Sequence, residues 1–324
     1  MMTQAANQAF ADNSTYALAG SAVVLALAML AFALDLAGGQ KRRAVVEAAA
    51  ESQAEMNGNT MVLTREVSPD EPVKRQWAGV GMALSWLGFG LLLVAIVLRG
   101  LSVHRTPLGN MYEFALAAAG FTMAVFLIWS TQRDLRWFGV FITAPVVLTE
   151  MLAAMVLYTD ATQLVPSLRS YWLSIHVTIA TLSVGLFTVG FVLTLLHLAQ
   201  ARREAAAEEG NGKASFMDSL PRARTLDQAA YGVHVIAYPL WTFTVIAGAI
   251  WAQVAWGRYW DWDPKEVWSF VIFVVYTAYM HARVTSGWTS KRASYLAIAG
   301  FTCVILNYTV VNVFFVGMHS YSGL

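Results

Sequence analysis

Residues 256–268 read WGRYWDWDPKEVW: four tryptophans and a tyrosine in thirteen positions, interleaved with Asp261, Asp263 and Glu266. Long apolar runs, 228–254 and 267–284, lie on either side. A polar, aromatic segment held between two such runs reads as the loop joining two membrane-spanning helices. Membrane proteins usually carry tryptophan in ones and twos at the lipid interface. A cluster this dense instead makes a broad, flat aromatic surface, which suits a large planar ligand.

The remainder of the 324-residue chain agrees with a membrane setting: 57% of it is hydrophobic and 13% charged, with a mean hydropathy of +0.53. A soluble domain carries roughly 25% charged residues. Net charge is +1, which argues against nucleic acid as a partner. Cys303 stands alone inside an apolar run, so neither CxxC redox chemistry nor a zinc knuckle is encoded. The first apolar run starts near Tyr16 and continues for about 23 residues without a small-residue cleavage site, so it reads as a retained anchor rather than a signal peptide.

A span needs roughly 20 apolar residues. Eight stretches are candidates: 16–38, 77–98, 111–130, 137–158, 172–198, 228–254, 267–284 and 294–317. The expected fold is an all-α polytopic helix bundle. Of the 21 Lys and Arg residues, 16 fall on one side of these spans, in or beside 39–76, 131–136, 199–227 and 285–293. The positive-inside rule then puts that side in the cytoplasm, and both termini and the tryptophan loop outside. The 39–76 and 199–227 segments read as partly helical cytoplasmic connections without a motif. The chain divides into an anchor and loop, 1–76, and a transmembrane domain, 77–324.

Topology sorts the six histidines. His104, His176 and His319 fall at the outer side, and His197 and His234 at the inner ends of spans five and six. His281 lies fourteen residues into span seven, about 21 Å deep at 1.5 Å per residue. An ionisable residue within a span is a functional candidate, and imidazole is a common axial ligand of haem iron. His176 and His319 flank the aromatic loop from separate spans. Each alone reads first as an interfacial histidine bonded to a backbone carbonyl; with the loop between them, they read as a ligand pair. For His281 the choice lies between a haem ligand within the bilayer and a hydrogen bond to a neighbouring helix. Trp256, Trp260 and Trp262 form the expected platform, and Trp256 and Trp260 share a face if the segment is helical. Asp263 reads either as the cap of span seven or as a direct participant in the site. Arg258 and Lys265, unlike the neighbouring carboxylates, suit a ligand's acidic groups.

The stretch from Trp256 resembles the tryptophan-rich signature WGxxWxWD of haem-handling membrane proteins in cytochrome c biogenesis. DPKEVWS at 263–269, YMHARVTSGW, VGMHSYSG and PLGNMYE at 107–113 resemble the CcsA/ResC branch, over about 77–324. The resemblance implies the integral component of a System II cytochrome c synthase in the bacterial cytoplasmic membrane. It implies that haem b is taken from the cytoplasmic side and presented outside to a CxxCH segment of apocytochrome c. His176 and His319 match the family's ligands of the external haem, and His281 the ligand within the bilayer, whose second ligand comes from a separate ResB-type subunit. His104 sits in a family-like segment with a possible ligand role. Addition of apocytochrome thiols to the haem vinyl groups would explain why the chain needs no reactive cysteine. The competing expectations are a haem exporter without attachment activity and a membrane b-type electron-transfer protein. A secondary transporter has only Glu150, within span four, in its favour.

Overall fold

The computed structural model describes residues 2–56, 76–164, 170–210 and 215–319, and the side chains of all of these except 2, 3, 6 and 39–56. Arg65, Lys74, Arg75, Arg169 and Lys213 of the charge pattern, and the end of the VGMHSYSG motif, lie outside the described residues.

Among the described residues the secondary structure is helical throughout. The helices are α1 (Met2–Met56), α2 (Gln76–Val103), α3 (Met111–Ser130), α4 (Gly139–Met155), α5 (Tyr171–Glu208), α6 (Ala223–Trp256), α7 (Pro264–Val284) and α8 (Ser290–Leu306). A π-helical turn, Asn307–Val311, and a last short helix, α9 (Asn312–Phe314), continue α8. Among the described residues, eight helices are long and apolar enough to cross a membrane, one for each expected span. Two of them overrun the hydropathy signal: the first begins at Asn7, and the fifth continues to Glu208. The extension AQARREAAAE, 199–208, has no hydropathy signal, but Ala, Gln, Arg and Glu are strong helix formers.

Small residues set the packing of the first half. α2 buries Gly81, Ser85, Gly88 and Ala95 along one stripe, which lets two backbones approach closely. Ser14 Oγ donates to the Ala95 carbonyl at 2.8 Å, and Ser21 Oγ lies 3.0 Å from the Gly88 carbonyl. Glu150 of α4 is buried 2.8 Å from the same Ser21 hydroxyl, so it joins α4 to the α1–α2 pair. That is a structural use of the residue that favoured a transporter.

α3 is the pivot between this half and a second one, in which α5 packs on α6 and α8, and α7 on α6 and α8. Its start is fixed by PLGNMYE. Asn110 caps the helix by accepting from Glu113 N–H at 2.8 Å. The buried Glu113 carboxylate accepts from Gly109 N–H and pairs with both Arg99 and Arg105. Arg99 and Arg105 also reach the Thr159 and Thr162 carbonyls. A carboxylate out of water holds two guanidinium groups only with its hydrogen bonds filled, and here the network ties α2, α3 and the α4–α5 connection together. The 105–113 segment is thereby held at the end of the bundle where the tryptophan loop also lies.

Candidate functional site

α6 ends at Trp256. Gly257 takes the left-handed conformation (φ 73°) and its N–H closes on the Gln253 carbonyl, a glycine C-cap. Residues 257–263 are therefore not helical, and Trp256 and Trp260 do not share a helical face. The chain re-enters helix at Asp263, the N-cap of α7, with Pro264 at the first position and Glu266 completing a capping box. The cap expected of Asp263 is formed.

Asp263 does more than cap. One oxygen accepts from Lys265 N–H at 3.0 Å and from His319 Nδ1 at 2.9 Å, the other from Met318 N–H at 2.6 Å. The close approach requires Gly317, where a Cβ would lie 2.3 Å from the carboxylate. Burial alone would raise the pKa of this carboxyl; the hydrogen bonds from His319 and from the Lys265 and Met318 N–H groups outweigh it and hold the pKa at about 2. The carboxylate thus fixes His319, in the segment after α9, to the start of α7.

His176, on the first turns of α5, is held comparably. Its Nδ1 donates to the Thr244 carbonyl of α6 at 3.0 Å, and its ring sits against Gly248, where a Cβ would come within 2.8 Å. With Nδ1 donating in both rings, the lone pair of each neutral imidazole is on Nε2. Such a carbonyl or carboxylate behind Nδ1 is the usual support of a metal-binding histidine.

Both imidazoles line one cleft, which encloses about 1300 Å³ of atom-free space, part of it open to solvent. Trp251, 2% exposed, touches both: it is stacked on His176 (centroids 5.8 Å, 27°) and edge-on to His319 (6.1 Å). Trp256 packs behind it, 5.2 Å from Trp251 and 4.9 Å from His319. Trp241, Tyr259, Trp260, Phe114 and Tyr308 complete the aromatic walls.

The structure thus brings His176, His319, Trp256, Trp260 and Asp263 into or immediately behind one site. Trp262 is turned outward, 75% exposed, with positive φ and only an edge contact to Trp260. His104 faces away too, its Nε2 3.1 Å from Asn7 Oδ1 of α1. His281 is at the opposite end of α7, in its last turn, on an exposed face beside Thr285. His197 and His234, read as interfacial, are enclosed laterally by the bundle. Their Nδ1 atoms bond the Ala223 and Ala230 carbonyls, and Tyr276 and Tyr279 surround His234.

Sequence reasoning missed Trp251, which sits inside an apolar run five residues ahead of the aromatic motif and looks like ordinary span content. It also missed the two glycine seats, which depend on tertiary approach.

Comparison with known proteins places this geometry. The family described as Cytochrome C assembly protein matches residues 108–319, which include both histidines and the loop. The cytochrome c biogenesis protein CcsA of Mesostigma viride is 33% identical over 255 residues, covering 72% of this chain and 83% of that one. CcsA of a Synechocystis strain is 32% identical over 297 residues, covering 76% and 88%. Among solved structures, the cytochrome c haem lyase CcmF aligns with a TM-score of 0.58 at 17% identity, over 95% of this chain and 47% of that one, a likeness of fold. With the shared region spanning the cleft and most of the bundle, this chain belongs to the CcsA family of cytochrome c biogenesis proteins.

Proposed function

We propose that this protein is the integral component of a System II cytochrome c synthase. It moves haem b across the bacterial cytoplasmic membrane, holds it in the cleft between His176 and His319, and presents it to the CxxCH segment of apocytochrome c. The observation that carries the reading is the pair of imidazoles from distant parts of the chain. Both line one aromatic cleft, and each is fixed through Nδ1 with its lone pair on Nε2.

The cleft fits a metalloporphyrin by its donor set and its walls. His176 and His319 supply the nitrogen donors, Trp251 and Trp256 keep their rings in place, and Trp260, Tyr259 and Trp241 offer flat apolar surface that excludes water. Joining the ligand to protein forms a bond from each cysteine sulfur to a vinyl carbon and moves the thiol proton to the other carbon, without net oxidation. The chain's part is position: one imidazole gives way to the incoming CxxCH histidine while the other keeps its hold. The open side of the cleft leaves room for that segment.

His281 belongs to a second station. On an exposed face at the far end of α7, it is placed to meet a ligand donated by another polypeptide, a ResB-type subunit. An electron-transfer cytochrome would instead need facing imidazoles at that end; His234 faces the rings of Phe187, Tyr276 and Tyr279 rather than another histidine. Replacing His176 and His319 together with alanine should abolish cytochrome c maturation in cells, with partial return on added imidazole; thioether formation by the reconstituted complex separates attachment from export alone. Undiminished maturation in the double variant would refute the role.

A further inference from the structure

The cleft contains an uneven charge distribution that bears on how a ligand is oriented in it. Apart from the two histidines, the charged side chains in its lining are Glu266 and Lys265. Glu266 is fully engaged: it accepts from the Asp261 and Asp263 N–H groups and pairs with Arg258. Arg258 pairs with Glu266, lies near Asp261 and covers the face of Trp256, with one terminal nitrogen buried and without a hydrogen-bond partner. Of the two cations beside the motif, it is the one turned away from the cleft lining. Lys265 differs. Its half-buried ammonium donates to the Asn307 carbonyl at 2.9 Å, where α8 gives way to the π-helical turn. Among the described residues no carboxylate lies within ion-pair distance of it. An ammonium has three protons to donate, and the acceptor this one meets is the neutral Asn307 carbonyl, on a stretch of lining that also carries Ser269 and Asn312. A cation in a cleft without a carboxylate partner suits an anionic oxygen of a ligand.

We propose that Lys265 binds a carboxylate of the cleft's ligand, and so sets which edge of the porphyrin enters first. This deepens the reading above and rests on it: haem carries two propionates on one edge and vinyl groups elsewhere on the ring. Lys265 follows by two residues the Asp263 that anchors His319, so a single helix start positions both the iron ligand and the carboxylate receptor. Binding the acidic edge at α7 turns the remainder of the ring toward the open side of the cleft.

The test is a spectroscopic titration of the purified full chain, in detergent and freed of haem, with ferric haem and separately with its dimethyl ester. Both bring the same iron and ring; only haem has free carboxylates. The wild-type protein should bind haem about tenfold more tightly than the ester, the order expected of a charge-assisted hydrogen bond. Lys265→Met should bind both forms alike, near the wild-type affinity for the ester, and Lys265→Arg should retain the preference. If Lys265→Met keeps the full preference, or loses both forms equally while Lys265→Arg behaves as wild type, the lysine serves only the Asn307 carbonyl and the proposal is overturned. Equal binding of both forms by the wild type also overturns it, while leaving the His176–His319 site intact. A wild type that gives a bis-histidine spectrum with neither form removes the underlying reading and this proposal with it.

Discussion

At the scale of single residues, Asp263 is the joint of the site, since one carboxylate caps a helix and fixes a histidine 56 positions later. Its pKa is depressed to about 2, so its contribution to stability is complete above the ordinary carboxyl range near pH 4 and is lost as pH falls through the folded value. The shift corresponds to about 2 kcal/mol. Thermal unfolding of the wild type and of Asp263→Asn should therefore differ by that order at pH 6 and converge toward pH 2; a gap constant with pH would show that the charge is not what matters. The cap itself was legible in the sequence, because Asp-Pro-Lys-Glu before an apolar run has the chemistry of a helix start. Its contacts with Met318 and His319 were not, since nothing local to 263 says what folds back onto it.

At the scale of elements, the α5–α6 pair presents His176, and it does so through a missing side chain. Gly248 of α6 leaves the space that the imidazole fills beside the Thr244 carbonyl. Gly248→Val should push the ring off that carbonyl, costing about 1–3 kcal/mol of overpacking and lowering haem affinity at least as much as His176→Ala, with His319 untouched. Haem titration of the two variants side by side checks this; near-normal binding by Gly248→Val would mean that the seat is not needed. The eight spans were legible because lipid requires each crossing to be a continuous apolar helix, and hydropathy reports that directly. Helix ends were less so: α5 runs on through charged residues that a hydropathy window discounts. Trp251 escaped notice for the opposite reason, hidden by an apolar neighbourhood in which one more aromatic residue carries no signal.

At the scale of the whole molecule, a rim network around Glu113, a helix start at Asp263 and a carbonyl on α6 all converge on one cleft at one end of the bundle, while His281 stands at the other. By the positive-inside rule, the distribution of Lys and Arg predicts a cleft that faces away from the cytoplasm. In cells carrying Cys303→Ser, a cysteine at the exposed Tyr259 should react with a membrane-impermeant maleimide added from outside, and one at Lys291 only after the membrane is opened; the reverse pattern would invert the topology. That histidines 176 and 319 flank the loop was readable from span order alone. That they share one cleft, with Trp251 in contact with both, follows from packing of α5, α6 and the segment after α9, which no single stretch of sequence encodes.

The most direct measurement is the low-temperature electron paramagnetic resonance spectrum of the ferric protein, co-expressed with the proposed ResB-type subunit and purified from haem-replete cells, beside the same preparation carrying His176→Ala and His319→Ala. The wild type should show low-spin, bis-histidine iron, and the double variant should lose the portion of that signal belonging to the cleft while keeping the portion that depends on His281. An unchanged low-spin signal in the double variant, or a wild-type complex free of haem, would contradict the account.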